Sequence, residues 1–300
     1  MKNNLTYIIE QIQIKNLLHS KRILKNLKTF DQEYFDRADA FLLKYEVLLK
    51  NDNKSFDYAI NCYLQMLADV NFESVQFLKT GEYTSKSFAE VNERVYNNPD
   101  VMEYYMHGLL MSQFLWKQHY DILLWFNLMI GMNSRNIKNY LEVGGGHGLY
   151  ISEALKLIGE QANYDLVDIS KSSLTIAEKM ISNDVVSLIL TDVFKYFPLN
   201  KYDFITMGEV LEHVEEPIKL LQKLHTLLSD NGKLIITTPT NAPAIDHIYL
   251  FKGAEDIRYV ISEAGFDIEE ELCVYSEDVS QEIAERFKIS MMYAAVLVKK

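Results

Sequence analysis

The sequence has little cysteine, with only Cys62 and Cys273 among its 300 residues. Two cysteines make neither a disulfide framework nor a zinc cluster, which excludes the small secreted folds that depend on such links. No uninterrupted apolar run approaches the roughly 18 residues that a membrane-spanning helix needs, so we expect no membrane partner. The first residues also lack the apolar core of a secretion signal, and we therefore expect a cytoplasmic protein.

Positive charge is scarce as well, because 30 Lys and Arg face 42 Asp and Glu, for a net charge of −12. Proteins that bind a nucleic-acid backbone neutralise its phosphates with Lys and Arg. No basic stretch interleaved with aromatic residues runs through the chain. The composition thus argues against nucleic acid as a partner and favours a small-molecule substrate.

The first part of the chain lacks the residues that interrupt helices. Residues 1–130 contain one proline, Pro99, and two glycines, Gly81 and Gly108. Apolar residues recur there at helical spacing, which predicts an all-helical N-terminal domain over residues 1–130, serving as a lid, a substrate cover or a dimer surface. Asp100 is the predicted N-cap of one helix. Breaks between helices are predicted at residues 50–55, 80–86 and 97–100.

From residue 131 onward, short apolar runs alternate with helical stretches. This alternation predicts an α/β domain over residues 131–300, in which a mostly parallel sheet has helices on both faces. The last two runs are predicted to form an antiparallel edge. The predicted strands are Tyr140–Val143, Tyr164–Ile169, Val185–Leu190, Tyr202–Met207, Lys233–Thr238, Phe266–Tyr275 and Met291–Val298; the predicted helices between them are residues 149–158, 171–182 and 215–228.

One glycine-rich segment follows the first predicted strand. Glu142 is followed by glycine at positions 144, 146 and 148. Such glycines let a strand-to-helix turn adopt unusual backbone angles and let a ligand lie against the main chain. A dinucleotide-binding loop would have the spacing Gly-x-Gly-x-x-Gly, with its third glycine at the position of Leu149. The spacing therefore disfavours a nicotinamide-dependent oxidoreductase.

This acid-x-Gly-x-Gly-x-Gly pattern resembles the first motif of class I methyltransferases that use S-adenosylmethionine (SAM). The segment from Phe204 to Val214 resembles the fourth motif of that family. The resemblance covers residues 137–300 and implies a Rossmann-like seven-stranded sheet that binds SAM. It implies that Glu142 receives the amino group of the methionine portion, that Asp168 accepts the ribose hydroxyls and that Asp192 contacts the adenine. The implied cofactor residues are Glu142, Gly144, Gly146, Gly148, Asp168, Ile169, Asp192, Val193 and Glu209.

A second set of residues suggests a metal site. Glu209, Glu212 and His213 follow the fourth predicted strand, and His247 follows the fifth. If Glu209 begins a helix, it shares one helix face with His213, and the four side chains form a possible site for a divalent cation. The pattern resembles the metal site of small-RNA 2′-O-methyltransferases and of ubiquinone-pathway O-methyltransferases. Without a metal, His213 or His247 is the candidate catalytic base, and the acids simply favour a helix start.

Polar-tipped aromatic residues precede the α/β domain. Tyr105, Trp116, His119 and Tyr120 lie where helices of related enzymes cover the cofactor cleft, so they are predicted to contact the substrate. The alternative is that these side chains belong to the helical core. No Asn/Asp-Pro-Pro-Tyr segment, typical of amino-methylating DNA enzymes, follows the fourth predicted strand.

These observations predict a SAM-dependent methyltransferase acting on a small molecule, with O-methylation favoured and a homodimer possible. Two alternatives stay open. One is a metal-assisted 2′-O-methyltransferase of an RNA terminus, which requires a basic strip beside the cleft. The other is a SAM-binding regulatory protein without catalytic activity, which only a turnover measurement distinguishes from an enzyme.

Overall fold

The computed structural model describes residues 3–300, and its first part is helical as predicted. Asn98, not Asp100, caps the helix after the third predicted break, because its side-chain oxygen accepts the backbone N–H groups of Asp100 and Val101. Pro99 occupies the first helical position, where no N–H is needed. The helices are α1 Asn4–Lys15, α2 Leu17–Leu27, α3 Gln32–Asn51, α4 Phe56–Thr80, α5 Phe88–Val91, α6 Pro99–Leu115 and α7 Lys117–Asn133.

The helical part has its own aromatic core. Tyr34, Tyr45 and Tyr63 are fully buried in it. Helix α6 packs closely on α4 at Gly108, where an added Cβ would lie 2.8 Å from the Cβ of Met66. Such close packing makes these helices a rigid cover over whatever lies beneath them.

A seven-stranded sheet forms the second part, confirming the predicted α/β class. Its strand order is β3-β2-β1-β4-β5-β7-β6, and only β7 runs antiparallel to its neighbours. The strands are β1 Asn139–Val143, β2 Asn163–Asp168, β3 Val186–Leu190, β4 Tyr202–Gly208, β5 Leu228–Thr240, β6 Phe266–Tyr275 and β7 Met291–Lys299.

Five helices accompany the strands, and two of them were not predicted from the sequence. They are α8 Leu149–Ile158, α9 Lys171–Ile181, α10 Pro217–Leu227, α11 Ala254–Glu263 and α12 Gln281–Arg286, of which α11 and α12 were missed. The chain leaves β1 towards β2 and later returns to place β4 on the other side of β1. This switch point opens a crevice at the carboxyl ends of β1 and β4, the usual ligand position in such sheets.

The helical part sits directly on the sheet. Helix α7 runs through the predicted boundary at residue 130 and packs on α8, β6 and β7. Asp52, after α3, accepts hydrogen bonds of 2.7 Å from Lys179 of α9. The domain boundary and the homodimer stay predictions. Among residues 3–300, none of the helices combines the length and hydropathy that crossing a lipid bilayer requires.

Candidate active site

A cavity of about 1800 Å³ lies at the carboxyl ends of the central strands, beneath the N-terminal helices. Its floor includes Glu142 at the end of β1, Asp168 at the end of β2 and Glu209 after β4. Its roof includes Tyr105 and Trp116 of the helical part. The topology thus brings together side chains that are far apart in sequence.

The glycine-rich loop between β1 and α8 presents main chain without side chains to the cavity at the glycines that line it. Gly144, Gly146 and Gly148 have φ angles of +68°, +50° and +73°, in the left-handed region that favours glycine. An added Cβ on Gly144 would lie 2.5 Å from Cγ2 of Val210. Gly148 does not line the cavity but packs on α9, where an added Cβ would lie 2.9 Å from the backbone of Ala177. The loop therefore requires glycine both for its conformation and for space.

Glu142 presents an unsatisfied carboxylate to this loop. The residue is 5% exposed, and its Oε2 atom has no hydrogen-bond partner among residues 3–300. Burial raises the pKa of this carboxyl well above its usual value, and the nearby Asp168 raises it further. A buried acceptor without a donor is costly, so a cationic ligand group is the partner that this position suits.

Asp168 ties the glycine loop to the end of β2. Its Oδ2 accepts the backbone N–H of Gly146 at 3.0 Å, and its Oδ1 accepts that of Ser170 at 2.8 Å. Burial raises the pKa of this carboxyl, whereas the backbone donors lower it. Ser170 caps α9, and the adjacent Ile169 lines the cavity. The carboxylate therefore faces the cavity while holding the loop in place.

Asp192 and Val193 lie at the end of β3 on the same side. The Asp192 carboxylate accepts the backbone N–H of Phe194 at 2.9 Å, which starts a 3₁₀ turn. Phe194, which is 43% exposed, lines the cavity, although no sequence motif pointed to it. A flat aromatic surface next to an acid suits a purine base. Apart from Gly148, all the predicted cofactor residues line one cavity.

Glu209 departs from the predicted helical geometry. Its φ angle is +55°, so it lies in the left-handed region and not at the start of a helix. A 3₁₀ turn spans Leu211–His213, and the next α-helix, α10, begins at Pro217. The expectation that Glu209 and His213 share a helix face is therefore wrong. The Glu209 carboxylate accepts the Thr237 hydroxyl at 2.7 Å. Burial, together with Glu212, raises its pKa to about 8.

Three of the four predicted metal ligands come together without Glu209. Ligand atoms of Glu212, His213 and His247 lie within 4.8 Å of one another. Oε1 of Glu212 is 3.7 Å from Nε2 of His213 and 3.9 Å from Nε2 of His247. Burial raises the pKa of Glu212 to about 8, and burial lowers that of His247 to about 4. Glu212 is fully buried and does not line the cavity; it lies directly behind residues that do.

Asp246 also belongs to this cluster, although it was not among the predicted site residues. Its carboxylate accepts the hydroxyl of Tyr105 at 3.1 Å and that of Tyr96 at 3.5 Å. Its main-chain carbonyl lies 2.9 Å from Nδ1 of His213. Asp246 directly precedes His247 in the loop after β5, and this position in the sequence could have indicated a role in the site.

The predicted substrate residues divide into two groups. Tyr105, Trp116 and His119 line the cavity, and the indole N–H of Trp116 donates to the Tyr63 hydroxyl at 2.7 Å. Tyr120 does not line it, because its ring is 3% exposed in the aromatic core. This placement does not support a substrate role for Tyr120.

Comparisons with known proteins agree with this geometry. A family model described as a methyltransferase domain matches residues 128–278, half of the chain. Malonyl-[acyl-carrier protein] O-methyltransferase 1 of Ilyobacter polytropus is 32% identical over 106 residues, covering 35% of this chain and 39% of that protein. Ubiquinone biosynthesis O-methyltransferase of Pseudomonas savastanoi pv. phaseolicola is 24% identical over 169 residues, covering 53% and 69%.

Solved structures show the same fold at low sequence identity. The mitomycin 7-O-methyltransferase MmcR superposes with a TM-score of 0.53 at 11% identity, covering 77% of this chain and 68% of that one. The N-methyltransferase NodS of Bradyrhizobium japonicum WM9, in complex with S-adenosyl-L-homocysteine, has a TM-score of 0.50 at 16% identity, covering 70% and 98%.

Proposed function

The chain belongs to the methyltransferase-domain family and is a SAM-dependent enzyme, and from this premise we propose that it methylates an oxygen atom of a small-molecule acceptor. The observation that carries the proposal is His213, an imidazole held in one tautomer at the cavity wall beside the end of β4. An acceptor hydroxyl is a weak nucleophile until its proton is removed. His213 is the group placed to remove it.

The tautomer of His213 follows from its hydrogen bond. The Asp246 carbonyl can only accept, so Nδ1 of His213 carries the proton and donates to it over 2.9 Å. Nε2 then has a free lone pair. The Asp246 carboxylate, with Oδ2 at 3.7 Å from Nδ1, stabilises the imidazolium that forms when Nε2 takes a proton.

SAM, when bound, supplies a methyl group on a sulfonium centre, and its thioether leaves without needing a proton. The chain aligns the acceptor, excludes water and removes one proton. The hydroxyl oxygen forms the new C–O bond as the C–S bond breaks, and the hydroxyl proton moves to Nε2 of His213. Alignment alone can supply about 7–11 kcal/mol in favourable cases.

The acidic groups around the acceptor side, with no buried cation among them in the described part of the chain, favour a neutral hydroxyl over an anionic group. Glu209 and Asp246 line this side, and Glu212 lies behind it. All the Lys and Arg residues that line the cavity are exposed at its rim, namely Arg22, Lys79, Lys219, Arg286 and Lys288. A carboxylate acceptor would therefore meet acids without a buried cation to pair with.

A second candidate mechanism uses a divalent cation. Glu212, His213 and His247 supply one carboxylate and two imidazole ligands within 4.8 Å. Oε1 of Glu212 and Nδ1 of His247 are both buried without a hydrogen-bond partner among residues 3–300. A cation held there would lower the pKa of an acceptor hydroxyl and orient it. The residues fit such an ion.

The test is methyl transfer from labelled SAM to a panel of phenolic, carboxylic, amino and RNA 3′-terminal compounds. We expect turnover with neutral hydroxyl compounds. His213→Asn keeps a side-chain N–H near the Asp246 carbonyl but removes Nε2, so it should lower kcat about 100-fold or more while the Kd of S-adenosylhomocysteine (SAH) stays within twofold. Turnover restricted to amines or carboxylates contradicts O-methylation of a hydroxyl.

Two further outcomes are informative. Loss of activity with a chelator, restored by a divalent cation and absent in His247→Ala, would favour the metal-assisted mechanism over direct base catalysis. SAH binding without turnover on any compound would favour a regulatory SAM-binding protein.

A further inference from the structure

A polar cluster beside the glycine loop has no role in the proposed reaction. His147 lies inside the loop, between Gly146 and Gly148, and is 8% exposed. His119 of α7 faces it from the helical part, and Gln113 of α6 and Tyr150 of α8 complete the cluster. All four side chains line the cavity.

Hydrogen bonds place the ring proton of His147 on Nε2, and they are compatible with the same tautomer of His119. Nδ1 of His147 accepts the backbone N–H of Leu149 at 3.2 Å, so its proton is on Nε2. Nδ1 of His119 lies 2.9 Å from the Ser112 hydroxyl and 3.5 Å from the side-chain nitrogen of Gln113, and it accepts from both groups when the ring proton is on Nε2. No residue in the described range 3–300 hydrogen-bonds to either Nε2, so both N–H groups are available to a ligand.

Hydrogen bonds join three members of this cluster. Burial raises the pKa of Tyr150, and the carboxylates of Glu209 and Glu142 raise it further. That hydroxyl donates to Gln113 at 3.5 Å, and Gln113 in turn donates to His119. Burial lowers the pKa of His119 to about 4, and His147 lowers it as well. Burial also lowers the pKa of His147 to about 4, so both imidazoles are neutral at pH 7.

The methionine portion of SAM needs two opposite partners. Its ammonium and its carboxylate are attached to the same carbon, so their binding groups must lie within a few ångströms of each other. Glu142, with its unpartnered Oε2, suits the ammonium. The Lys and Arg residues that line the cavity are all exposed at its rim and do not reach this buried end. The carboxylate must therefore find neutral donors.

We propose that the Nε2–H groups of His147 and His119 donate to the carboxylate of the methionine portion of SAM. One donor comes from the glycine loop and the other from the helical part, so the N-terminal helices complete the cofactor site. The inference rests on SAM as the cofactor but not on the nature of the methyl acceptor. His119, which the sequence predicted to be a substrate residue, becomes a cofactor residue.

Calorimetry with two ligands tests this assignment. SAH contains the amino-acid portion, whereas 5′-methylthioadenosine has the same adenosine and thioether groups without it. In His147→Asn and His119→Asn, the amide replaces Nδ1 and leaves nothing at the position of Nε2. Asparagine at position 147 can still accept the Leu149 N–H. In the matched variants His147→Gln and His119→Gln, the longer amide reaches the Nε2 position.

We expect each Asn variant to bind SAH about tenfold more weakly, equivalent to about 1.4 kcal/mol, with the Kd of 5′-methylthioadenosine within twofold of that of the unaltered protein. The Gln variants should recover part of the SAH affinity. Equal losses for both ligands would assign the histidines to loop structure and overturn the proposal, as would unchanged SAH affinity. Binding of neither ligand to the unaltered protein would overturn the cofactor itself.

Discussion

Replacing Glu142 with glutamine should stabilise the ligand-free protein and weaken cofactor binding at once. The carboxylate is buried, and one of its oxygens has no partner among residues 3–300. Glutamine has nearly the same shape but cannot ionise, so folding no longer requires this position either to bury a charge or to take up a proton. Its new amide N–H offsets part of that gain, so we expect an increase of about 1–2 kcal/mol in the free energy of unfolding at pH 7.

The pH dependence gives this prediction a definite sign. Burial raises the pKa of Glu142 above its ordinary value of 4.5. The folded protein therefore holds a proton that the unfolded chain releases, and stability is lost as pH rises from 4.5 through the folded-state pKa. The unaltered protein should lose up to about 1.4 kcal/mol per pH unit relative to Glu142→Gln in that window. Below pH 4.5 the difference between the two proteins should become constant.

Cofactor binding should change in the opposite direction. Glu142→Gln loses the charge-assisted bond to an ammonium group, worth about 1.5–3 kcal/mol, or a 10-fold to 150-fold rise in the Kd of SAH. Urea unfolding between pH 4 and 8 and calorimetry with SAH measure the two effects. Glu263→Gln, the same change on an exposed side chain of α11, is the control and should alter stability by less than about 0.5 kcal/mol. A destabilised Glu142→Gln, or one with unchanged SAH affinity, refutes the reasoning.

Two further predictions concern the loop and the roof. Gly148→Ala adds a Cβ 2.9 Å from the Ala177 backbone at a φ of +73°, so it should lower the free energy of unfolding by about 2–5 kcal/mol in urea. The control Gly81→Ala, at a φ of +74° with no atom within 4 Å, should lower it by only about 1–2 kcal/mol. Equal losses in the two variants would contradict the packing argument. Tyr105→Phe removes a hydrogen-bond donor to Asp246, so it should raise the acceptor KM in steady-state kinetics while the Kd of SAH stays within twofold. A selective loss of SAH affinity would contradict the placement of Tyr105 on the acceptor side of the cavity.

The sheet could be predicted from the sequence because its strands are short apolar runs between polar turns. The strand Phe266–Tyr275 was predicted with the bounds that the structure shows. Helix α11 was missed although it has a helix signal, with Glu255 and Asp256 in its first turn and buried apolar residues at helical spacing after them. Helix α12 has only six residues, too few to show a periodic pattern.

The site was harder to predict because it depends on contacts between distant segments. Glu209 has a left-handed backbone conformation, which non-glycine residues rarely adopt, and nothing in the neighbouring sequence predicts it. Trp116 and Tyr120 are four residues apart in sequence, yet one lines the cavity and the other is core. These placements depend on packing with Tyr34 of α3 and Tyr63 of α4, which one sequence does not specify.

Unsatisfied polar atoms locate the site independently of any motif. Within residues 3–300, the buried side-chain atoms without a hydrogen-bond partner are Oε2 of Glu142, Oε1 of Glu212, Nδ1 of His247 and Oδ1 of Asn127. The first and third belong to cavity-lining residues, and the second lies directly behind the wall. Folded proteins rarely leave such atoms unpaired, because each costs about 1–3 kcal/mol. Their concentration at the tips of β1, β4 and β5 shows that this region is shaped for groups that come from outside the chain.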